Sequence, residues 1–244
     1  MKTKWIAAIV VICVTMVVCT VITGNAFRFR YTSGDVISVT GLGEQEFVSD
    51  IIVWSGNFSR KANELQQAYR LLDEDTKKVK SYLTAKGIKE DEMVFSFVNV
   101  YQETEPIYAN GNYAGSRFSG YRLNQSFRIE STEVEKIETV SREISELIAQ
   151  GITLESYSPE YFYSKLADMK IELINKATED ARSRAEAVAG KAGTKLGDLK
   201  TGRMGVIQIT APNSNEALSW GGAYNSESKN KKASITMKLE YHLK

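Results

Sequence analysis

Apolar positions along this chain fall into three kinds of spacing. Residues 5–22, WIAAIVVICVTMVVCTVI, are uncharged and almost wholly apolar. Beyond residue 36, apolar residues recur either every second position or every third and fourth, the periods of a half-buried strand and of an amphipathic helix. The most regular helical stretch is LADMKIELINKATEDARSRAEAVAGKAGTKLG, residues 166–197. There Leu173, Ala177, Ala181, Ala185, Val188 and Ala192 form one narrow stripe between charged flanks. Four of these six residues are alanine, which lets a neighbouring backbone come close and predicts a helix lying flat on a sheet or another helix. Gly190 and Gly193 supply its end.

Around this helix the periods alternate. Ile37 and Val39, then Ile51 and Val53, predict two strands separated by Gly41 and Gly43. A helix follows from about Ser59 to Lys86, with Ala62, Leu65, Tyr69, Leu72, Val79 and Leu83 on one face, Ser59 as N-cap and Gly87 as stop. Residues 92–104 alternate as a strand, and 106–119, PIYANGNYAGSRFS, keep neither period and read as a loop or wide hairpin tip. A second cycle opens at Gly120. It has a strand to residue 131, a helix over 132–150 with Thr132 and Glu135 as capping box, and a strand over 152–163. The two cycles overlay at an offset of 64 residues, matching Ser55-Gly56 with Ser119-Gly120, Leu83 with Leu147, Gly87-Ile88 with Gly151-Ile152, and Val98 with Phe162. After the long helix come a strand over 198–210, a polar and aromatic loop over 212–229, and a last strand with Ile235, Met237, Leu239 and Tyr241 on one face. The predicted fold class is therefore α+β. Two related strand-helix-strand halves, about 36–105 and 120–165, share a core that the alanine-striped helix, 166–192, closes by packing on an antiparallel or mixed sheet, with further strands over 198–244.

Composition changes this picture little. With 43% hydrophobic and 25% charged residues the chain is ordinary globular material, and 31 Lys and Arg against 30 Asp and Glu leave no surplus to attract a nucleic acid. Cys13 and Cys19, the two cysteines, both fall in the apolar segment, so residues 20–244 hold no thiolate metal site or disulfide framework. The one histidine, His242, lies on the last strand pattern and reads as a surface residue. No cofactor is expected either. Gly41-Leu42-Gly43 opens like a dinucleotide fingerprint but lacks its third glycine, and Glu44-Gln45-Glu46 would repel a phosphate. Asp73-Glu74-Asp75 before Lys77-Lys78 reads as a solvated helix face with i,i+4 pairs rather than a cation site.

The segment over 5–22 follows Lys2 and Lys4 and, as a helix, would span about 27 Å, close to the ~30 Å hydrocarbon core of a bilayer. It predicts an N-terminal transmembrane anchor within residues 1–26, with Trp5, Ile12, Val18 and Ile22 among the anchor residues, and a tether over 27–35. A removable signal peptide is the alternative, since Gly24-Asn25-Ala26 offers small residues for cleavage. The apolar core is longer than a signal peptide's and favours the anchor. Cys19 follows Val18 rather than a small residue, which argues against lipidation.

With these elements laid out, the chain resembles the SIMPL domain family of bacterial envelope proteins, in the branch with an N-terminal membrane helix. The resemblance is carried by VTGLGEQEFVSDIIVWSG at 39–56, GYRLNQSFRI at 120–129, the run from Leu147 to Gly197, and MGVIQIT at 204–210. It implies an α+β domain of two related halves on the extracytoplasmic side of the cytoplasmic membrane, ring-like oligomers or a link to oxidative-stress defence in some relatives, and no catalytic residues. A soluble periplasmic form after signal cleavage is the alternative address.

Two kinds of site remain open. Tyr108, Tyr113 and Phe118 in the first loop, with Trp220 and Tyr224 in the second, are candidate contact residues for a homo-oligomer or an envelope protein partner. Both loops leave the domain between strands and are expected to emerge at one edge. Trp220-Gly221-Gly222 reads as a binding rim or as a mobile excursion. Asp50, Glu103, Glu105, Glu155 and Glu160, at strand ends, would serve a hydrolase or lyase if two converged. A pocket between sheet and helices would instead make a small-molecule binding protein. The leading expectation is a non-enzymatic, membrane-anchored assembly or interaction module.

Overall fold

The computed structural model describes residues 13–25, 35–217 and 219–244. Residues 13–25 are helical and exposed. In chain order the following elements are β1 (Val36–Val48), β2 (Ile51–Ala62), α1 (Leu65–Ala85), β3 (Met93–Phe95), β4 (Asn99–Ala109), β5 (Asn112–Ser131), α2 (Val134–Glu143) and α3 (Glu146–Ala149). Then come β6 (Thr153–Ser156), β7 (Glu160–Phe162), α4 (Leu166–Lys191), β8 (Leu196–Met204), β9 (Gln208–Thr210) and β10 (Asn230–Leu243).

The chain builds two antiparallel sheets, each with helices on one face. In the larger, strands run β3-β5-β2-β6, β4 extends beside β5, and β7 continues the β6 edge beside β2. The two crossovers interleave: β2 reaches β3 through α1, β5 reaches β6 through α2 and α3, and the first strands of both lie antiparallel at the centre, a split βαβ arrangement. Ile52, Trp54 and Phe58 of β2 and Leu123, Phe127 and Ile129 of β5 face the helices and meet Leu72, Val79, Leu83, Ile137 and Leu147 in one core. The Trp54 ring meets Phe127 edge-on at 5.1 Å, and its indole N–H donates to Ser156 Oγ at 3.0 Å.

The smaller sheet has β10 at its centre, with β1 on one side and β8 and β9 on the other. The α4 helix lies along β1 and β10 through Met169, Leu173, Ala177, Ala181, Ala185 and Ala189, all buried. Gly41 and Gly43 make this contact possible. A Cβ on Gly41 would sit 2.1 Å from the Ala177 carbonyl oxygen, and one on Gly43 2.3 Å from that of Leu173. The glycines that resemble a nucleotide motif thus serve helix docking. β1 is an edge strand, and Asp180 of α4 accepts from its Leu42 amide at 2.8 Å, closing that edge.

The long helix therefore packs on an antiparallel sheet as expected, but it does not seal a core shared by the two halves. It covers β1 and β10, while α1 and α2 cover the other sheet, and the buried residues fall into separate clusters. The reason is β1, which turns away from β2 after Val48 to pair along its whole length with the C-terminal strand. The stripe also runs strictly every fourth residue, so Val188 is exposed and Ala189 takes the buried place.

Other elements shift in instructive ways. Residues 59–62 extend β2, and α1 begins at Leu65, leaving Leu65 and Tyr69 exposed and burying Ala68 and Asp75. Asp75, 1% exposed, pairs with Arg60 of β2 through both carboxylate oxygens, while Asp73 and Lys77 form the expected i,i+4 pair at 2.7 Å. The Thr132–Glu135 box does not form; the Glu133 amide donates instead to Ser131 Oγ at 3.1 Å. Pro159, which lacks the amide a strand interior needs, lies between β6 and β7.

The 64-residue offset holds at the helix ends. Gly87 and Gly151 have φ of 84° and 81°. Ile88 N–H donates to Leu83 and Ile152 N–H to Leu147, giving the same C-cap twice. At the strands it fails: β2 ends at Ala62 and β5 at Ser131, so Ser55-Gly56 and Ser119-Gly120 are not equivalent.

Candidate functional site

Of the two readings for residues 106–119, the hairpin tip is the one that holds: they form a two-stranded ribbon and not a loop. β4 and β5 pair out to Ala109 and Asn112, and Asn110-Gly111 turns the chain with φ of 51° and 80°, the two positive values a two-residue hairpin of the right twist requires. The ribbon runs on past the end of β2, whose pairing with β5 stops at Ala62 and Tyr121, and carries single-residue irregularities between Glu103 and Thr104 and between Ile107 and Tyr108. Alternation then sorts its side chains. Tyr108, Tyr113 and Phe118 share one face with Tyr121, with Tyr108 edge-on to Tyr113 at 6.4 Å and Phe118 edge-on to Tyr121 at 5.1 Å. The opposite face carries Glu103 against Lys61 and Arg122, and Glu105 against Arg117 at 3.1 Å. Tyr108, Tyr113 and Phe118 are 66%, 65% and 52% exposed, so the ribbon presents an apolar aromatic face to solvent and neutralises its charges on the other. Phe97, 80% exposed where β3 passes to β4, adds an apolar group that the alternation of 92–104 concealed.

The second aromatic loop, between β9 and β10, lies elsewhere. It packs beside β7, where Tyr161 N–H donates to Ser226 at 2.7 Å and Tyr224 stacks on Phe162 at 6.0 Å. β7 pairs with the Ile51 end of β2, whereas the ribbon departs from the Ala62 end, about 36 Å away along the strand. The two loops do not emerge together. Tyr224, although exposed, is held in place: its ring stacks on Phe162 and lies beneath the Lys231 ammonium. Trp220 is 99% exposed.

The Trp220 turn is pinned, which sequence gave no signal for. Gln208 of β9 accepts from the amides of Ser219 at 3.2 Å and Ala223 at 2.9 Å and donates to the Ser219 carbonyl at 2.8 Å. Lys231 of β10 is fully buried, donates to the Asn225 carbonyl, and faces the Tyr224 ring at 5.6 Å. Burial pulls its pKa down to about 8, with Glu216 acting in the opposite direction. Between this loop and the helix-free face of the smaller sheet runs a groove of about 820 Å³, with Trp220 on its rim and Thr210, Ser234 and Thr236 among its lining.

The strand-end carboxylates do not converge. Asp50 accepts from the amide of Ser164 at 2.8 Å and from its hydroxyl at 2.5 Å. Glu103 and Glu105 hold the cations named above, Glu155 meets the Tyr157 hydroxyl at 3.4 Å, and Glu160 meets Ser226 at 3.3 Å. Glu103 is held below the usual carboxylate range chiefly by its bond to Lys61. Glu138, which Tyr161 bonds at 2.6 Å, is lowered chiefly by that bond, and Tyr161 is raised to about 12 by burial first and Glu138 second. Among the described residues no group of His, Cys, Asp and Glu is arranged to hold a metal.

Among the described residues no helix is long and apolar enough to cross a membrane. Trp5 and Ile12 of the expected anchor lie outside the described residues; Val18 and Ile22 stand exposed on the helix over 13–25. Comparison with known families gives one match: a family model described as "SIMPL: Protein of unknown function (DUF541)" covers residues 37–239. No curated protein matches the chain.

Proposed function

From the premise that this chain belongs to the SIMPL family, we propose that it is a non-enzymatic interaction module, held on the outer side of a bacterial cytoplasmic membrane by its N-terminal segment. Its copies associate through the aromatic face of the β4–β5 ribbon. The observation that carries this reading is the ribbon itself: Tyr108, Tyr113 and Phe118 are ordered in cross-strand contacts yet exposed, on an arm that leaves the sheet. Exposed aromatics on a fixed backbone lose little conformational entropy on contact and mark interfaces. A second copy fits as partner because the ribbon's charges are already paired within it, and a net charge of +1 sets up no repulsion between copies.

Several features support the membrane address. Lys2 and Lys4 precede an uncharged stretch of bilayer-spanning length. On the helix over 13–25, Val14, Val17, Val18 and Val21 are exposed. Thr20 and Thr23 donate their hydroxyls back to the carbonyls of Met16 and Cys19, so these polar groups need no water. The pairing of each strand-end carboxylate with its own donor supports a non-enzymatic role.

Light scattering on residues 36–244 over a range of concentrations tests the assembly. The fragment is expected to associate, and Tyr108→Ser/Tyr113→Ser/Phe118→Ser to leave monomers with an unchanged circular dichroism spectrum. A fragment that stays monomeric at high concentration contradicts the proposal.

A further inference from the structure

The groove beside Trp220 lies on a different face from the ribbon, and its chemistry does not depend on assembly. Its floor is the helix-free side of the smaller sheet, where hydroxyl side chains lie among exposed Leu42, Met204 and Val206, an amphipathic lining. In the β1–β10 register Leu42 stands beside Thr236 and Glu44 beside Ser234, and Thr210 of β9 stands beside Lys232. No hydrogen bond within the described residues engages the hydroxyls of Thr210, Ser234 or Thr236, so all three remain free to bond a ligand. Thr236 keeps its hydroxyl in the groove because the neighbouring residue is Gly205, where a Cβ would lie 2.4 Å from Thr236 Oγ1. On the rim stands Trp220, fully exposed on a turn that the Gln208 side chain holds by its amide bonds. An indole in solvent on a braced turn is a ready stacking surface.

The lining selects a ligand class. Glu44 and Lys232 pair at 2.8 Å, and Glu216 adds a second carboxylate, so the groove has no cationic excess to draw a phosphate or other anion. A wholly apolar ligand would strip water from three hydroxyls and give nothing in return. A peptide adding as a strand needs a sheet edge, and this is a sheet face. From Lys232 to Thr236 the floor runs about 13 Å, and a volume of about 820 Å³ is within the range of ligand sites. We infer that the groove is a carbohydrate site, binding an uncharged oligosaccharide with one ring face stacked on Trp220 and its hydroxyls bonded to Thr210, Ser234 and Thr236.

The test uses the full-length protein in a polyoxyethylene detergent, which has no sugar headgroup. Cellotetraose and chitotetraose serve as probes, with tetragalacturonate as an anionic control of equal length, followed by calorimetry and tryptophan emission. At least one neutral tetrasaccharide is expected to bind saturably and shift the emission. Trp220→Ala should weaken it by about tenfold or more, and Ser234→Ala/Thr236→Val should weaken it while leaving thermal stability unchanged. Absence of saturable binding at millimolar probe, equal binding by Trp220→Ala, or preference for tetragalacturonate overturns the assignment. The Tyr108, Tyr113 and Phe118 variants leave this binding intact, which separates it from the assembly reading.

Discussion

Residues that look idle in the sequence perform much of the structural work. Lys231 is the clearest case: in KASITMKLEYHL and the residues before it nothing distinguishes this lysine from its neighbours, yet it is buried against Asn225 and Tyr224 and fixes the loop carrying Trp220. Its place was illegible because β10 alternates over more residues than its apolar positions reveal. Asp75, buried against Arg60 of β2, was hidden in the same way, within a charge run that sequence reads as solvated. Lys231 also has a measurable signature. Its pKa is about 8 in the folded chain against an ordinary value of 10.5, so between those values the unfolded chain binds the extra proton and stability rises with pH. Tyr161 acts in the opposite sense. Its pKa is raised to about 12, the folded chain retains the proton longer, and stability falls as pH passes the ordinary tyrosine value of 10. Urea unfolding should therefore show stability gained between about pH 8 and 10, with a slope up to about 1.4 kcal/mol per pH unit from this one group. Lys231→Met should flatten that rise. An identical rise in the variant would show that Lys231 carries its charge without penalty.

At the scale of elements, sequence period reported what burial dictates and went silent where burial is absent. The alanine stripe of α4 was legible because Leu173, Ala177, Ala181 and Ala185 are all buried against one sheet. The ribbon was legible only as one of two readings, loop or hairpin tip, because β4 and the outer part of β5 are exposed on both faces and no alternation is imposed on them. Its turn residues, Asn110-Gly111, were the one available signal. Helix docking gives a sharp test of the close contact. Gly41→Ala should destabilise the chain by about 2–3 kcal/mol, because the new methyl meets the rigid backbone of α4 rather than a movable side chain. Gly190→Ala, on the same helix with nothing within 4 Å of the new group, should be neutral or stabilise by up to about 1 kcal/mol. Chemical denaturation of both variants measures the difference, and equal effects would mean that α4 can retreat from β1 at no cost.

For the whole molecule, the sequence supplied the α+β class and the two crossovers, and missed that the first strand deserts its hairpin neighbour to pair with the last. That pairing spans nearly the length of the chain, and local pattern has no record of it. It also sets the functional geography. The smaller sheet carries the Trp220 groove on its helix-free side, while the larger sheet sends the aromatic ribbon out from its far end, so the two proposed contacts fall on separate surfaces. The ribbon's aromatic face, and not its charged face, is proposed to meet another copy. Disulfide trapping in membranes tests it most directly, using full-length protein with Cys13→Ser and Cys19→Ser so that only an introduced thiol can react. Tyr108→Cys is predicted to give cross-linked dimers on mild oxidation, and Glu105→Cys, on the opposite face of the same ribbon, to give few. No dimers from position 108, or equal yields from both, would contradict the account.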